Sequence, residues 1–124
     1  IKLSEFINLK KRMLKVITEL KKFVNENKKY NYNTYGIGAA TKGNTLLNCC
    51  KFTEKDIKFI VDNSKHKINK YTPLSGIKII KEKKNLKIDS AIILPWNISN
   101  HLIKKLFYNK KIRYTSISKI IKNI

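Results

Sequence analysis

Cysteine is scarce in this sequence, and its placement excludes most of the chemistry that cysteines support. Cys49 and Cys50 are the only two, and they are adjacent. Adjacent cysteines form neither a disulfide framework nor a set of metal ligands, so we expect a reducing, cytoplasmic setting. We interpret the pair as two small apolar residues at the end of a helix.

Long apolar runs are missing as well. No segment approaches the roughly 18 apolar residues that a membrane span needs. Lysines interrupt the first twenty residues throughout, so we expect no signal peptide there. We therefore expect no membrane partner. Hydrophobic residues still make up 42% of the 124 residues, which supports one packed core and excludes a disordered tail. Because the chain starts at Ile1 and not at Met, we expect a trimmed fragment.

Acidic residues and arginines are both few. Eight Asp and Glu stand against 28 Lys and Arg, which gives a formal net charge of +20, yet only Arg12 and Arg113 are arginines. Proteins that read nucleic-acid bases usually rely on the fork of donors that arginine presents, whereas these lysines are spread along the chain. We interpret the charge mainly as a solvated surface, which does not favour nucleic acid as a partner. The charge still favours an anionic ligand or an acidic partner, and a small basic nucleic-acid-binding module stays open as an alternative.

The hydrophobic periodicity predicts one long helix followed by alternating strands and helices. Apolar residues recur at three- and four-residue spacings from Leu3 to Val24, and a polar stretch then ends the pattern. Strands are predicted at 34–38, 57–61, 76–80 and 90–94, helices at 41–50 and about 98–108, and one or two strands within 112–121. This alternation predicts a three-layer α/β domain with a mainly parallel sheet over residues 31–124, preceded by a linker helix over residues 1–30.

A glycine-rich turn between the first strand and the next helix is the most informative stretch. Gly36 and Gly38 allow a tight turn and a close approach of the backbone, and the helix that follows offers unpaired N–H groups to a phosphate. Lys42 adds a cation beside them. The third glycine is misplaced for a dinucleotide fingerprint, and the stretch is not a P-loop. Ligand binding and a merely structural turn both stay open.

Two further candidate positions follow later strands. Asp62 ends the second strand, where an acidic residue hydrogen-bonds a ribose in some α/β folds or simply caps a turn. Trp96 and Asn97 follow Pro95 after the most apolar strand, at the edge where open α/β sheets bind ligands. Trp96 is suited to stacking on a base or sugar, or to covering the core. The sequence shows no nucleophile–base pair, carboxylate pair or metal-ligand cluster, so we predict no catalytic residue and no metal site in this chain.

Three blocks of the sequence resemble the C-terminal domain of SAM-dependent sugar C-methyltransferases. They read GIGAATKGNTLLN from Gly36, IVDNSKHKINKYTPLSGIKI from Ile60, and AIILPWN from Ala91. The corresponding family segments are GYGAAAKGNTLLN, VVDRNPxKxGxYTPGTxIPI and VLILPWN. The blocks occur in the family order, although Ile37, Thr41 and the longer Pro73–Gly76 turn depart from the family pattern.

The resemblance implies a Rossmann-like domain that packs on an upstream SAM-binding domain and helps to hold a nucleotide-diphosphate sugar. SAM, zinc and the catalytic base would belong to upstream domains, so the resemblance implies no cofactor in this chain. A non-catalytic docking domain is the remaining alternative. The residues implied to contact the phosphate or sugar, or to line the same edge, are Gly36, Gly38, Lys42, Gly43, Asn44, Asp62, Trp96 and Asn97.

Overall fold

A five-stranded parallel sheet combined with helices confirms the predicted α/β class. The computed structural model describes residues 2–39, 41–82, 87–95 and 112–122. The predicted helix at 98–108 therefore lies outside the described residues. The elements are α1 (Leu3–Lys29), β1 (Thr34–Ile37), α2 (Thr41–Cys49), β2 (Phe59–Asp62), β3 (Ile79–Lys81), β4 (Ser90–Ile93), β5 (Arg113–Ser116) and α3 (Ile117–Lys122).

The five described strands form one sheet in the order β3-β2-β1-β4-β5. Each of their pairings is parallel, as predicted. The chain begins at the middle strand, moves outward through β2 and β3, and then crosses to β4 and β5. This order creates a switch point between β1 and β4, where the connections leave the sheet in opposite directions. The register places Gly36 beside Ile60 on one side and Ile92 on the other.

The sheet is buried because apolar side chains project from both of its faces. Side chains alternate along a strand, so successive residues contribute to opposite faces. Ile60, Ile79 and Ile92 face the side on which α1, α2 and α3 pack. Ile37 and Ile93 belong to a second cluster on the other face, together with Tyr35, Val61 and Ala91. β4 is buried at every position, as its continuous apolar run predicted.

Arg113 fastens the long first helix to the sheet. Its guanidinium donates to the Phe23 carbonyl oxygen at 3.2 Å and to Asn27 Oδ1, and it pairs with Glu26. The same group lies 4.3 Å from the centre of the Phe23 ring, a favourable cation–π distance. Asn27 is fully buried and donates through Nδ2 to Thr34 Oγ1 at 2.9 Å. One arginine therefore links α1 to β5 directly and to β1 through Asn27.

Two predicted strands begin later in the structure than in the sequence pattern. Ile57 is fully buried but precedes β2, because its N–H group donates to the Thr53 carbonyl oxygen at 3.0 Å in a turn. Ile77 is also buried, yet it closes a loop by accepting a hydrogen bond from Thr72 N–H at 2.8 Å. A buried isoleucine in a turn or loop therefore looks the same in the sequence as one in a strand.

The end of the described chain is one strand followed by a helix, so one of the one or two strands predicted within 112–121 is present and the helix after it was not predicted. The isoleucines there are typical of strands. Ser116 changes the outcome, because its Oγ accepts a hydrogen bond from Lys119 N–H at 3.0 Å, the arrangement of a serine that caps a helix N-terminus. Among the described helices, none is long and apolar enough to cross a membrane.

Gly38 and Gly76 provide a matched pair for testing the glycine turn. Both have a positive φ, 84° and 67°, but a Cβ on Gly38 would lie 2.8 Å from Pro95 Cγ, whereas one on Gly76 would meet nothing within 4 Å. Gly76→Ala should lower the free energy of unfolding by about 1 kcal/mol, the cost of a left-handed alanine. Gly38→Ala should lower it by a further ~1 kcal/mol or more through overlap with Pro95. Urea unfolding measures both, and equal losses would contradict the close contact.

Candidate functional site at the carboxyl edge of the sheet

The glycine turn lies at the carboxyl end of β1, as the sequence predicts. Gly38 N–H donates to the Val61 carbonyl oxygen at 2.8 Å, and Leu94 N–H donates to the Ile37 carbonyl oxygen at 3.0 Å. These bonds continue the parallel ladders on both sides of β1 to the start of the turn. Gly36 lies inside β1, where a Cβ would collide with the Ile60 side chain. The turn therefore opens at the switch point, the edge at which open α/β sheets bind ligands.

The peptide groups of Ala39 are held on both sides by charged side chains. Ala39 N–H donates to Asp62 Oδ2 at 2.7 Å, and the Ala39 carbonyl oxygen accepts from Lys67 Nζ at 2.7 Å. The other carboxylate oxygen of Asp62 accepts from Ser64 N–H at 2.9 Å. Asp62 thus joins the end of β1 to the end of β2 and to the segment that follows it.

The surroundings of Asp62 hold its pKa below the usual range. Burial acts to raise the pKa of this carboxyl, but hydrogen bonds from the N–H groups of Ala39, Ser64 and Asn63, together with the charge of Lys67, outweigh it. Asp62 therefore caps the turn, as one of the two interpretations of the sequence predicted, because both of its oxygens accept hydrogen bonds from backbone N–H groups. An ionised carboxylate has about four lone-pair positions, so the predicted contact with a ribose stays a prediction.

Helix α2 starts close against the end of β4. A Cβ on Gly43 would lie 2.6 Å from Leu94 Cβ, so this glycine allows the helix to approach the strand. Asn44 follows it, and its Oδ1 is buried with no hydrogen-bond partner among the described residues. An unsatisfied buried acceptor costs about 1–3 kcal/mol. A ligand N–H or O–H group that donates to Asn44 Oδ1 would remove this cost. Lys42 lies in the first turn of α2, and its side chain is outside the described part.

A cavity of about 270 Å³ lies beside the turn, between α2 and the segment that connects β2 to β3. Hydrogen bonds from Asn69 N–H to the Ile79 carbonyl oxygen and from Ile79 N–H to the Lys70 carbonyl oxygen, both 2.8 Å, hold this segment to the sheet. The apolar wall consists of Leu47, Ile60, Ile79 and Leu94. The polar side includes Asn44, Lys67, Lys70, Tyr71 and Thr72.

The structure does not bring the predicted site residues together at one cavity. Asn44 lines the larger cavity, whereas Gly38 and Asp62 line a smaller one of about 190 Å³. Gly36 and Gly43 serve close packing in the described structure. Trp96 and Asn97 lie outside the described residues.

Sequence reasoning missed Lys67, Lys70 and Tyr71 as site residues, because their polar stretch predicts only a loop. One signal for them was their place in the segment that follows Asp62, which leaves the carboxyl end of a parallel strand. The side chains described here include no group of three or more His, Cys, Asp or Glu that is able to hold a metal ion.

The glycine turn, the segment after Asp62 and the end of β4 are the three blocks that the sequence resemblance rests on. A family model described as the C-methyltransferase C-terminal domain matches residues 1–118. The chain belongs to this family. Among proteins with curated descriptions, none matches the chain. In this C-methyltransferase C-terminal domain, the three blocks meet at one edge of the sheet.

The lowered pKa of Asp62 predicts how the free energy of unfolding changes with pH. The folded-state pKa lies below the unfolded value of about 3.9. Ionised Asp62 therefore stabilises the fold above about pH 4, and this contribution is lost as the pH falls through the folded pKa. Asp62→Asn should lower the free energy of unfolding at pH 7 by about 1 kcal/mol, since an amide cannot accept from both N–H groups, and should weaken the fall in stability below about pH 4.

Urea unfolding between pH 2 and pH 7 checks this prediction. Exposed Glu54→Gln is the matched control for losing one negative charge, and it should stay within about 0.5 kcal/mol of the parent at pH 7. An Asp62→Asn chain with the parent's stability and acid sensitivity would show that the carboxylate does not brace the turn.

Proposed function

We propose that this chain is the substrate-binding domain of a SAM-dependent C-methyltransferase that acts on a nucleotide-linked sugar. Membership of the C-methyltransferase C-terminal domain family supports the methyltransferase assignment. The observation that carries the binding role is the cavity beside the glycine turn. Lys67 and Lys70 line it, and its described lining contains no Asp or Glu. A pocket with two ammonium groups and no carboxylate favours an anionic ligand such as a diphosphate.

Methyl transfer itself is assigned to partner domains in this proposal. Zinc and SAM belong to upstream domains in the proposal, as the family resemblance implies. This chain holds no catalytic acid or base in the proposal, and its role is to bind and orient the methyl acceptor. The proposed setting is the cytoplasm.

The first half of α1 is the surface proposed to contact the SAM-binding domain. The helix is buried against its own domain only from Val16 onward. Before that point five large apolar side chains are exposed: Leu3, Phe6, Ile7, Leu9 and Leu14. Exposed apolar side chains on a helix that extends beyond its own domain are suited to packing against another domain.

An NMR titration of the labelled chain with UDP-glucose, a representative nucleotide-diphosphate sugar, tests the binding role. We expect saturable shifts confined to Ala39, Asn44 and residues 67–72, because these line the cavity. Lys70→Gln should weaken binding by about threefold, as removal of one exposed cation does. Lys58→Gln removes an exposed cation before β2, at the opposite edge of the sheet, and should leave binding unchanged.

A short DNA duplex serves as the competing ligand in the same titration. Shifts with DNA alone, spread over many lysines and removed by salt, would replace the proposal with a nucleic-acid-binding module. No shift with either ligand would leave a docking domain. In that case only the SAM-binding domain of the methyltransferase should perturb the chain, at residues 3–14.

A further inference from the structure

The mouth of the larger cavity combines two cations with an exposed aromatic ring. Lys67 uses one N–H donor on the Ala39 carbonyl oxygen, and an ammonium group has three donors. Lys70 lies three residues later and is exposed. Tyr71 follows with 63% of its surface exposed, and it also lines the cavity. Cations next to an aromatic face are the combination that binds a phosphate and stacks a base in many nucleotide sites.

The interior of the cavity is better suited to a base than to a sugar. Its wall of Leu47, Ile60, Ile79 and Leu94 carries no hydrogen-bonding side-chain group. A sugar ring has hydroxyl groups around its perimeter, and burying hydroxyls without partners is costly. A nucleobase has two apolar faces and confines its polar groups to its edge. Asn44 Oδ1, buried and without a partner among the described residues, is an acceptor for an N–H group on that edge.

The size of the cavity limits how much of the substrate it holds. Its volume of about 270 Å³ is slightly below the ~300–1,000 Å³ of pockets that bury a drug-sized ligand. Such a space accommodates one ring system and its phosphate at the mouth, but not both ends of a nucleotide-linked sugar. One end of the substrate must therefore lie outside.

We propose that this cavity binds the nucleoside end of the substrate. The base lies between Tyr71 and the apolar wall with its N–H edge toward Asn44. The phosphates lie at Lys67 and Lys70, and the sugar remains outside, accessible to the domain that transfers the methyl group. This inference rests on the proposed function, because it assigns one end of the nucleotide-linked sugar to a particular site.

Equilibrium binding of substrate fragments to the 124-residue chain tests the assignment. The probes are UDP-glucose, the diphosphates of uridine, thymidine, adenosine and guanosine, glucose 1-phosphate, and inorganic pyrophosphate. We expect at least one nucleoside diphosphate to bind about fivefold or more tightly than pyrophosphate and glucose 1-phosphate, which is the lower range for stacking one base on an aromatic side chain.

Tyr71 variants locate the binding of the base. Tyr71→Ser should remove the advantage of the nucleoside diphosphate over pyrophosphate, whereas Tyr71→Phe, which keeps the ring, should retain it. Tyr32→Ser is the matched control, since Tyr32 is 43% exposed and lines a different depression with Arg113. Asn44→Ala should weaken nucleoside diphosphate binding by about threefold or more and leave pyrophosphate binding unchanged.

The outcomes separate this inference from the proposed function. If UDP-glucose binds but glucose 1-phosphate or pyrophosphate binds as tightly as the best nucleoside diphosphate, the nucleoside assignment is overturned and the substrate-binding role stands. The same holds if Tyr71→Ser weakens every anion equally. If UDP-glucose and all four nucleoside diphosphates fail to bind, the proposed function fails, and the nucleoside assignment fails with it.

Discussion

The hydrogen bond between the Asp62 carboxylate and Ala39 N–H is the contact on which the proposed binding edge of the sheet depends. It joins the carboxyl ends of two neighbouring parallel strands at 2.7 Å, and Lys67 holds the following peptide group from the other side. The glycine turn, the start of α2 and the segment after β2 are consequently fixed relative to one another. These three pieces surround the larger cavity, so the proposed binding edge is already formed in the free chain. Preorganisation of this kind lowers the entropy that binding must otherwise overcome.

The position of β1 explains why one edge of a small domain gathers so many polar groups. The chain enters the sheet at its middle strand, and α2 returns it to the neighbouring β2. The ends of β1, β2 and β4 therefore meet beside a helix N-terminus, where backbone donors face outward. Nothing in the described part of this edge resembles a catalytic pair. A platform that binds and orients a substrate is compatible with this geometry, and a methyl-transferring domain is its proposed neighbour.

Local patterns predicted the fold well and the cavity poorly, for physical reasons. Burial of both sheet faces makes β4 a continuous apolar run, and a turn with positive φ requires a residue such as Gly38, so both are visible in the sequence. The final helix was missed because its isoleucines are also typical of a strand, while one hydroxyl, Ser116 Oγ, decides the local conformation. Lys70 and Tyr71 reach the cavity only because Ile79, far along the chain, accepts a backbone hydrogen bond from Asn69 N–H and donates one to the Lys70 carbonyl oxygen. Sequence spacing does not encode such a contact.

Amide hydrogen exchange at Ala39 in the free chain measures the binding edge most directly. If Asp62 fixes the turn before any ligand binds, the Ala39 amide should exchange slowly, with an opening free energy near that of the Leu94 amide, which donates to Ile37 in the adjoining ladder. Asp62→Asn should then accelerate exchange at Ala39 more than at Leu94. An Ala39 amide that exchanges at the rate of an unstructured peptide would show that the turn is not formed in advance, and would contradict a preorganised binding edge.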